Sequence, residues 1–335
     1  MARIGRQTVE IKSHVSIAGV GSVVGPKEAQ GPLGTHFDIL IDDIMAGEDT
    51  WEKAESRISE KAMSLAVSSA GITMSDVDYL LAGDLLNQCM GSVMAAKDFN
   101  VPYVGIYGAC SNIGLGMGLG AMAMQAQLAT HVLIGASSHF CAAEKQFRFP
   151  LELGSQRPPT SQTTVTGAGA VVLNNRTTGP MIKSVTTGKI IDMGIKDSNN
   201  MGAAMAPAAV DTIKVHLEAL GVGPDYYDLI VTGDLGYVGH ELVINLLDKE
   251  KIRVGKNYTD CGILIYDKET QDTHAGGSGC GCSAVTFAGY LYEKMIKDQI
   301  KKLLFVPTGA LMSTTSVQQK LSIPGIAHAI GIEMV

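Results

Sequence analysis

The fold is decided by Tyr103-Val104-Gly105-Ile106-Tyr107-Gly108-Ala109-Cys110-Ser111-Asn112 and the uncharged run at 113–129 that follows it. An apolar, β-rich segment enters this turn and an apolar segment of helical length leaves it. The pattern predicts a buried strand running into a buried helix, with Cys110 at the helix N-terminus. There, free backbone N–H groups and the positive end of the helix dipole favour a thiolate, or an anion held beside the sulfur. The same residues also read as a small buried cysteine packed at a strand–helix junction.

Working outward, the surrounding pattern occurs twice. Residues 69–84 align with 219–234 at a constant offset of 150, placing Gly71 on Gly221, Asp78 on Asp228, Gly83 on Gly233, Asp84 on Asp234 and Leu85 on Leu235. Each copy reads as a helix stopped by Gly, a short polar linker and a buried strand ending in Gly-Asp-Leu. Further along, Gly108-Ala109-Cys110-Ser111 is echoed by Cys280-Gly281-Cys282-Ser283, with Cys110 on Cys282 at an offset of 172. Two αβ halves in similar order imply a duplication, and strands alternating with helices imply mixed sheets covered by helices.

Between these landmarks, strands are expected at 7–24, 78–84, 132–135 and 168–173. A helix runs from Trp51, capped by Asp49 or Thr50, to the stop at Gly71, and another covers 90–99. The loop at 25–34 carries Lys27 and Glu28. The strand end Ala136-Ser137-Ser138-His139 is a natural place for functional side chains. A long polar excursion at 140–164 holds Glu144, Lys145, Arg148 and Arg157; long loops of this kind are usually functional or covering elements.

The 335 residues, 46% hydrophobic and 18% charged, can bury an ample core. A net charge of −7 without a basic run argues against nucleic acid as a partner. No apolar secretory signal is visible at 1–10. The uncharged stretch at 109–130 is long enough for a bilayer, but four glycines (114, 116, 118, 120), Gln125 and Gln127 suit a buried core helix better. Those glycines fail the G-x-G-x-x-G pattern, because position 119 is Leu119. Their four-residue spacing suggests close helix–helix packing. The six cysteines (89, 110, 141, 261, 280, 282) follow neither disulfide-scaffold nor zinc spacing, so free thiols in a reducing compartment are expected.

A duplicated βαβα chain with a Gly-Ala-Cys-Ser turn in its first half resembles the thiolase superfamily. The resemblance implies a five-layered α-β-α-β-α sandwich with mixed sheets, built from halves at 1–175 and 176–335. It implies a homodimer, and places Cys110 where that superfamily carries its nucleophile. Longer strings resemble the stage V sporulation protein AD family of spore-forming bacteria. They include Val24-Gly25-Pro26-Lys27-Glu28, Ala82-Gly83-Asp84-Leu85-Leu86-Asn87-Gln88, Gln146-Phe147-Arg148, Val165-Thr166-Gly167, Met205-Ala206-Pro207-Ala208-Ala209 and Ala275-Gly276-Gly277-Ser278-Gly279-Cys280. This resemblance spans essentially the whole chain. It implies binding of dipicolinic acid, a pyridine ring with two carboxylates, with or without Ca2+, for its uptake into the developing spore. Other stage V sporulation membrane proteins are the implied partners. The implied location is the cytoplasmic side of the forespore or spore inner membrane, peripherally attached.

Condensing chemistry needs more than Cys110. It uses a second-half His and an Asn or second His to stabilise developing negative charge. This chain has Gly233 and Asp234 near the expected His, and Gly281 and Cys282 near the expected Asn. An acidic Asp234 repels an enolate. His240 and His139 are the remaining candidates for that role. The expectation is therefore a non-catalytic binding protein without a cofactor of its own. An acyl-CoA or ketoacyl thioester enzyme with Cys110 as nucleophile is the alternative. The candidate binding residues are Cys110 and Ser111 at the helix terminus, His139, and Arg148 as a fork for carboxylates. Asp84 and Asp234 lie at equivalent strand ends, where they either serve the pocket, with an oxygen for calcium, or cap helices. Cys280 and Cys282 either line the pocket or pack at a helix start.

Overall fold

A computed structural model describes residues 3–148, 151, 157–176 and 178–335. Ten strands form its framework. The first five are β1 (Ser16–Val24), β2 (Tyr79–Gly83), β3 (Tyr103–Gly105), β4 (His131–Ser138) and β5 (Gly167–Asn174). The second five are β6 (Pro180–Thr186), β7 (Leu229–Thr232), β8 (Tyr258–Asp260), β9 (Lys302–Val306) and β10 (Ala329–Met334). The first set lies in the order β3-β2-β4-β5-β1 and the second in the order β8-β7-β9-β10-β6. In each set the fifth strand runs antiparallel to both neighbours, and the strands on its far side are parallel. The same order and the same senses, used twice, make the duplication visible in the backbone. The two sets touch through one pairing, Ser16 opposite Met181.

The main helices are α1 (Trp51–Ser69), α2 (Asn112–Gln125), α3 (Met201–Leu220), α4 (Gly236–Lys249) and α5 (Cys280–Val285). The last continues through a π-helical turn to Ile296. Helices α1 and α3 end alike. Gly71 has φ +68° and Gly221 has φ +67°, the left-handed conformation that closes a helix with little strain only at glycine. At the start of α1, the Thr50 hydroxyl accepts from the Lys53 N–H at 3.3 Å, so Thr50 is the cap, and Asp49 instead pairs with the Lys53 ammonium. The twin aspartates repeat one task. Asp78 Oδ2 accepts from the backbone N–H of Thr130 and His131, and Asp228 Oδ2 accepts from Lys301 and Lys302. Each ties the entry of its own strand to the entry of the neighbouring one.

Helix α2 explains its missing charges by its position. A Cβ on Gly114 would meet Pro307 at 2.9 Å and one on Gly118 would meet Val185 at 2.9 Å, both in the second half. A Cβ on Gly116 would meet Ile134 at 2.5 Å, and one on Gly120 would meet Val132 and Leu173 at 3.2 Å, in the first half. The glycines therefore admit a sheet on each side, rather than the facing helix their spacing suggested. Helix α1 packs on the outer side of β1, β4 and β5, while α5 packs on β4 and β5 beside α2. Helices α3 and α4 pack together outside the second set. The layers run α-β-α-β-α, with α2 and α5 in the middle. Among the described residues no helix is long and apolar enough to cross a membrane.

Candidate functional site

Strand β3 delivers the chain to a tight turn before α2. Ala109 takes a positive φ of 49°, and the turn is pinned from both sides. Ser111 Oγ donates to the Gly108 carbonyl at 2.6 Å, and Asn112 Oδ1 accepts from the Gly108 N–H at 2.6 Å. The helix begins at Asn112, so Cys110 stands ahead of it rather than on its first turn. Its environment reverses the expected thiolate. The thiol is buried beside the Asp234 carboxylate; burial first, then that negative charge, push its pKa well above the usual thiol range. The N–H groups of Gly279 and Ala310 approach the sulfur and pull the other way, but they do not prevail. Cys110 is held as a neutral thiol.

Asp234 is wholly buried and satisfied. Oδ1 accepts from Thr308 Oγ1 at 2.8 Å, and Oδ2 accepts from Ser278 Oγ at 3.1 Å and Gly279 N–H at 2.9 Å. Asp84, its counterpart, caps the helix at Met90–Ala96 from a distance. It accepts from Leu86 N–H at 2.8 Å and from both the N–H and the hydroxyl of Ser92 at 2.6 Å. Of the two readings of these aspartates, the structural one describes Asp84. Neither turns an unused oxygen into the cavity described below, so the expected calcium ligand does not fit. Among the described residues no three His, Cys, Asp or Glu side chains are arranged for a metal ion.

A narrow cavity of about 40 Å³ opens over Cys110. Leu85, Phe147, Met201 and Met312 form its apolar walls, and Tyr107, Gln146, Thr164, Ser278 and Ser313 supply polar groups. Tyr107 Oη donates to the Met312 carbonyl at 3.0 Å, linking the two halves across the mouth. None of these lining side chains is cationic, which corrects the expected cationic fork. Arg148 is nearly buried, but its Nε lies 3.0 Å from Glu144 Oε2, and Nη2 donates to the Gln162 carbonyl at 3.4 Å. His139 is also diverted. Its Nδ1 accepts from the Ala142 N–H at the start of a short helix, and Nε2 meets the Ile44 carbonyl at 2.8 Å. Burial lowers its pKa, so it is a neutral helix cap rather than a pocket cation.

The second-half cysteines divide. Cys280 donates to the Ala109 carbonyl at 3.1 Å and receives Asn112 Nδ2 at 3.4 Å, which fastens the start of α5 to the Cys110 turn. Cys282 lies deeper, with its thiol toward the Gly233 carbonyl at 3.6 Å. Counting from the first helical residues, Asn112 matches Cys280, so Cys110 falls on Ser278 rather than on Cys282. The structure thus gathers Cys110, Asp234 and Cys280 around one turn, with Ser111 folded back on it. It leaves Asp84, His139, Arg148 and Cys282 in structural roles outside the cavity lining. Tyr107, Gln146, Phe147, Thr164 and Met312 were missed as lining residues. The signal for Gln146 and Phe147 was present in the Gln146-Phe147-Arg148 string, where the charge of Arg148 drew the reading instead.

Comparison with known proteins agrees with this architecture. The family model described as Stage V sporulation protein AD matches residues 5–333. The chain is 41% identical over 333 residues to Stage V sporulation protein AD of Bacillus subtilis (strain 168), covering 99% of this chain and 98% of that protein. The 3-oxoacyl-[acyl-carrier-protein] synthase III of Aquifex aeolicus superposes with a TM-score of 0.59 at 13% identity, covering 95% of this chain and 99% of the other. OleA of Xanthomonas campestris superposes with a TM-score of 0.61 at 13% identity, covering 96% and 98%. At that identity the two solved structures speak to fold alone. The chain therefore belongs to the stage V sporulation protein AD family, a sporulation protein on a thiolase-like fold.

Proposed function

We propose that the chain binds dipicolinic acid, free or as its calcium chelate, for uptake into the developing spore, and that it catalyses no reaction. One observation carries this reading: the Cys110 thiol is buried beside the Asp234 carboxylate and held neutral, where thioester chemistry needs a thiolate and donors for developing negative charge. The cavity above suits a flat, polar-edged ring. Phe147 and Met312 offer apolar faces, while the Thr164 hydroxyl, and the Gln146 amide once turned from the Leu85 and Ala142 carbonyls, offer donors to carboxylates. At about 40 Å³ it must widen to admit a ring, and the flexible Met201 and Met312 side chains suit that movement. Calcium, when it accompanies the ligand, is held by the ligand's own oxygens and nitrogen. Calorimetric titration with dipicolinate tests the reading. Saturable binding is expected, weakened about tenfold by Gln146→Ala or Thr164→Val, the loss of roughly one hydrogen bond to a charged group. Unchanged affinity in both variants would refute this placement of the ligand.

The thioester enzyme remains the second reading, favoured by the condensing-enzyme fold of the solved structures. Incubation with acyl-CoA followed by peptide mass spectrometry decides it: an adduct on Cys110 supports the enzyme. We further propose that the protein acts as a homodimer at the cytoplasmic face of the forespore membrane, beside other stage V sporulation membrane proteins. The dimer is supported by β3, an edge strand whose Val104 is exposed, and by Met90, Val93 and Met94 exposed on the preceding helix.

A further inference from the structure

We propose that binding of a carboxylate ligand in the Cys110 cavity is coupled to uptake of one proton by the buried Asp234–Asp260 pair. The inference rests on the cavity being a carboxylate site.

The cavity and the buried carboxylate share a wall. Ser278 and Gly279 line the cavity, and the same two residues donate from behind to Asp234 Oδ2. Cys110, also in the lining, lies beside Asp234, whose charge helps keep its thiol protonated. An anion touching any of these groups is one residue away from a carboxylate that no solvent reaches. A second carboxylate stands behind the first. Asp260 is wholly buried and accepts from Thr232 Oγ1 at 2.7 Å and from the N–H groups of Leu235, Gly236 and Gly262 at 2.9 Å each. Leu235 and Gly236 directly follow Asp234, so the pair is held together by one turn.

Among the described residues, the groups facing this pair bring no positive charge. From the first half comes the Cys110 thiol; from α5 come Cys280 and Cys282; Cys261 follows Asp260. Burial raises the pKa of all four thiols, so they are neutral. The Tyr258 phenol shares Thr232 Oγ1 with Asp260 and is neutral. His240 from α4 stacks on the Tyr258 ring at 4.6 Å, with its own pKa lowered by burial. Two buried carboxyls without a cation disfavour two negative charges. Burial holds Asp260 up at about 7, and raises Asp234 as well. A ligand carboxylate adds a third charge across the Ser278–Gly279 wall. The least costly response is a proton on the pair, and affinity then falls as pH rises.

The test is calorimetric titration of the wild-type chain with sodium dipicolinate in calcium-free buffers of different ionisation enthalpy. The observed enthalpy should depend on the buffer with a slope of about one proton near neutral pH, and Kd should weaken toward tenfold per pH unit above it. Asp234→Asn and Asp260→Asn should each reduce the proton uptake. Saturable binding with a buffer-independent enthalpy would overturn the coupling and leave the binding function standing. The absence of saturable binding would overturn both. Uptake unchanged in both variants would assign the proton elsewhere and overturn the pair's role. If the variants do not fold, the wild-type buffer series still decides whether binding takes up a proton.

Discussion

The Cys110 thiol is buried beside the Asp234 carboxylate, so burial and a neighbouring negative charge both keep the residue in the nucleophile's position protonated. The consequence is a poorly reactive sulfur, since the thiolate is the species that attacks. At neutral pH, iodoacetamide should modify Cys110 in the folded protein at least about tenfold more slowly than the same residue in urea, and Asp234→Asn should speed the folded-state reaction. Peptide mass spectrometry over time reads both. Rapid labelling of wild-type Cys110 would contradict this picture.

The ion pair between Arg148 and Glu144 is nearly out of solvent, with side-chain exposures of 9% and 1%. Removing one partner strands the other charge, so Arg148→Ala or Glu144→Gln should each cost on the order of 3 kcal/mol of stability. Replacing both with apolar residues, as in Glu144→Leu with Arg148→Met, should recover most of that loss. Denaturant melts of the four proteins close the cycle. Additive losses in the double variant would argue that the two residues do not act as a pair.

Acid should destabilise the fold through two histidines. Burial lowers His216 and His328 to about 4. An unfolded histidine titrates near 6.5, so the unfolded chain binds protons first as pH falls. The histidines' stability contribution is intact above pH 6.5 and is lost between roughly 6.5 and 4, on the order of 3 kcal/mol per group. Among the described residues His328 Nε2 has no hydrogen-bond partner, which makes His328→Asn the simpler variant. Its urea midpoint should change less between neutral pH and pH 5 than that of the wild type.

Base should act through Glu55. It is fully buried, and burial followed by the nearby Asp84 raises its pKa well above the usual value. Here the folded state holds the proton more tightly, so stability declines as pH rises above the unfolded value near 4.3, by up to about 1.4 kcal/mol per unit, until the folded pKa is passed. Glu55→Gln should flatten that limb, widening its advantage in Tm from pH 5 to pH 9. A parallel offset between the two curves would assign the pH dependence to other groups.

Self-association should depend on the open edge at β3. Val104→Lys or Met94→Glu places a charge on the exposed apolar surface there and should convert a dimer to a monomer with little change in Tm. Light scattering after size exclusion gives the mass directly. A dimer that persists in both variants would point to another face.

Much of the fold was legible because local rules wrote it twice. Gly71 and Gly221 stop helices for the same backbone reason, and Asp78 and Asp228 fasten strand entries in the same way, so their spacing survives divergence. The site was legible only in part. That Asp234 was acidic and Cys110 small could be read; that the fold sets them side by side could not, since 124 residues separate them along the chain. Arg148 shows another failure. Its i,i+4 partner Glu144 was in plain view, but an isolated charge pattern does not say whether the fold will bury it. The glycines of α2 were read with the right property, close approach, and the wrong neighbour, because periodicity does not distinguish a helix from a sheet.

The two ends of the ten-strand path were not treated alike. At one end β3 leaves Val104 and Gly105 exposed. At the other, β8 is largely covered, with Tyr258 and Asp260 buried and His240 lying flat on the tyrosine ring. A duplicated chain with two similar open ends would be a monomer unit for a polymer, each added copy presenting a fresh end to the next. Closing one end makes growth self-limiting: two copies that meet edge to edge leave nothing further to extend. The divergence of the halves thus turns an internal repeat, which invites fibres, into a shape that can stop at a pair.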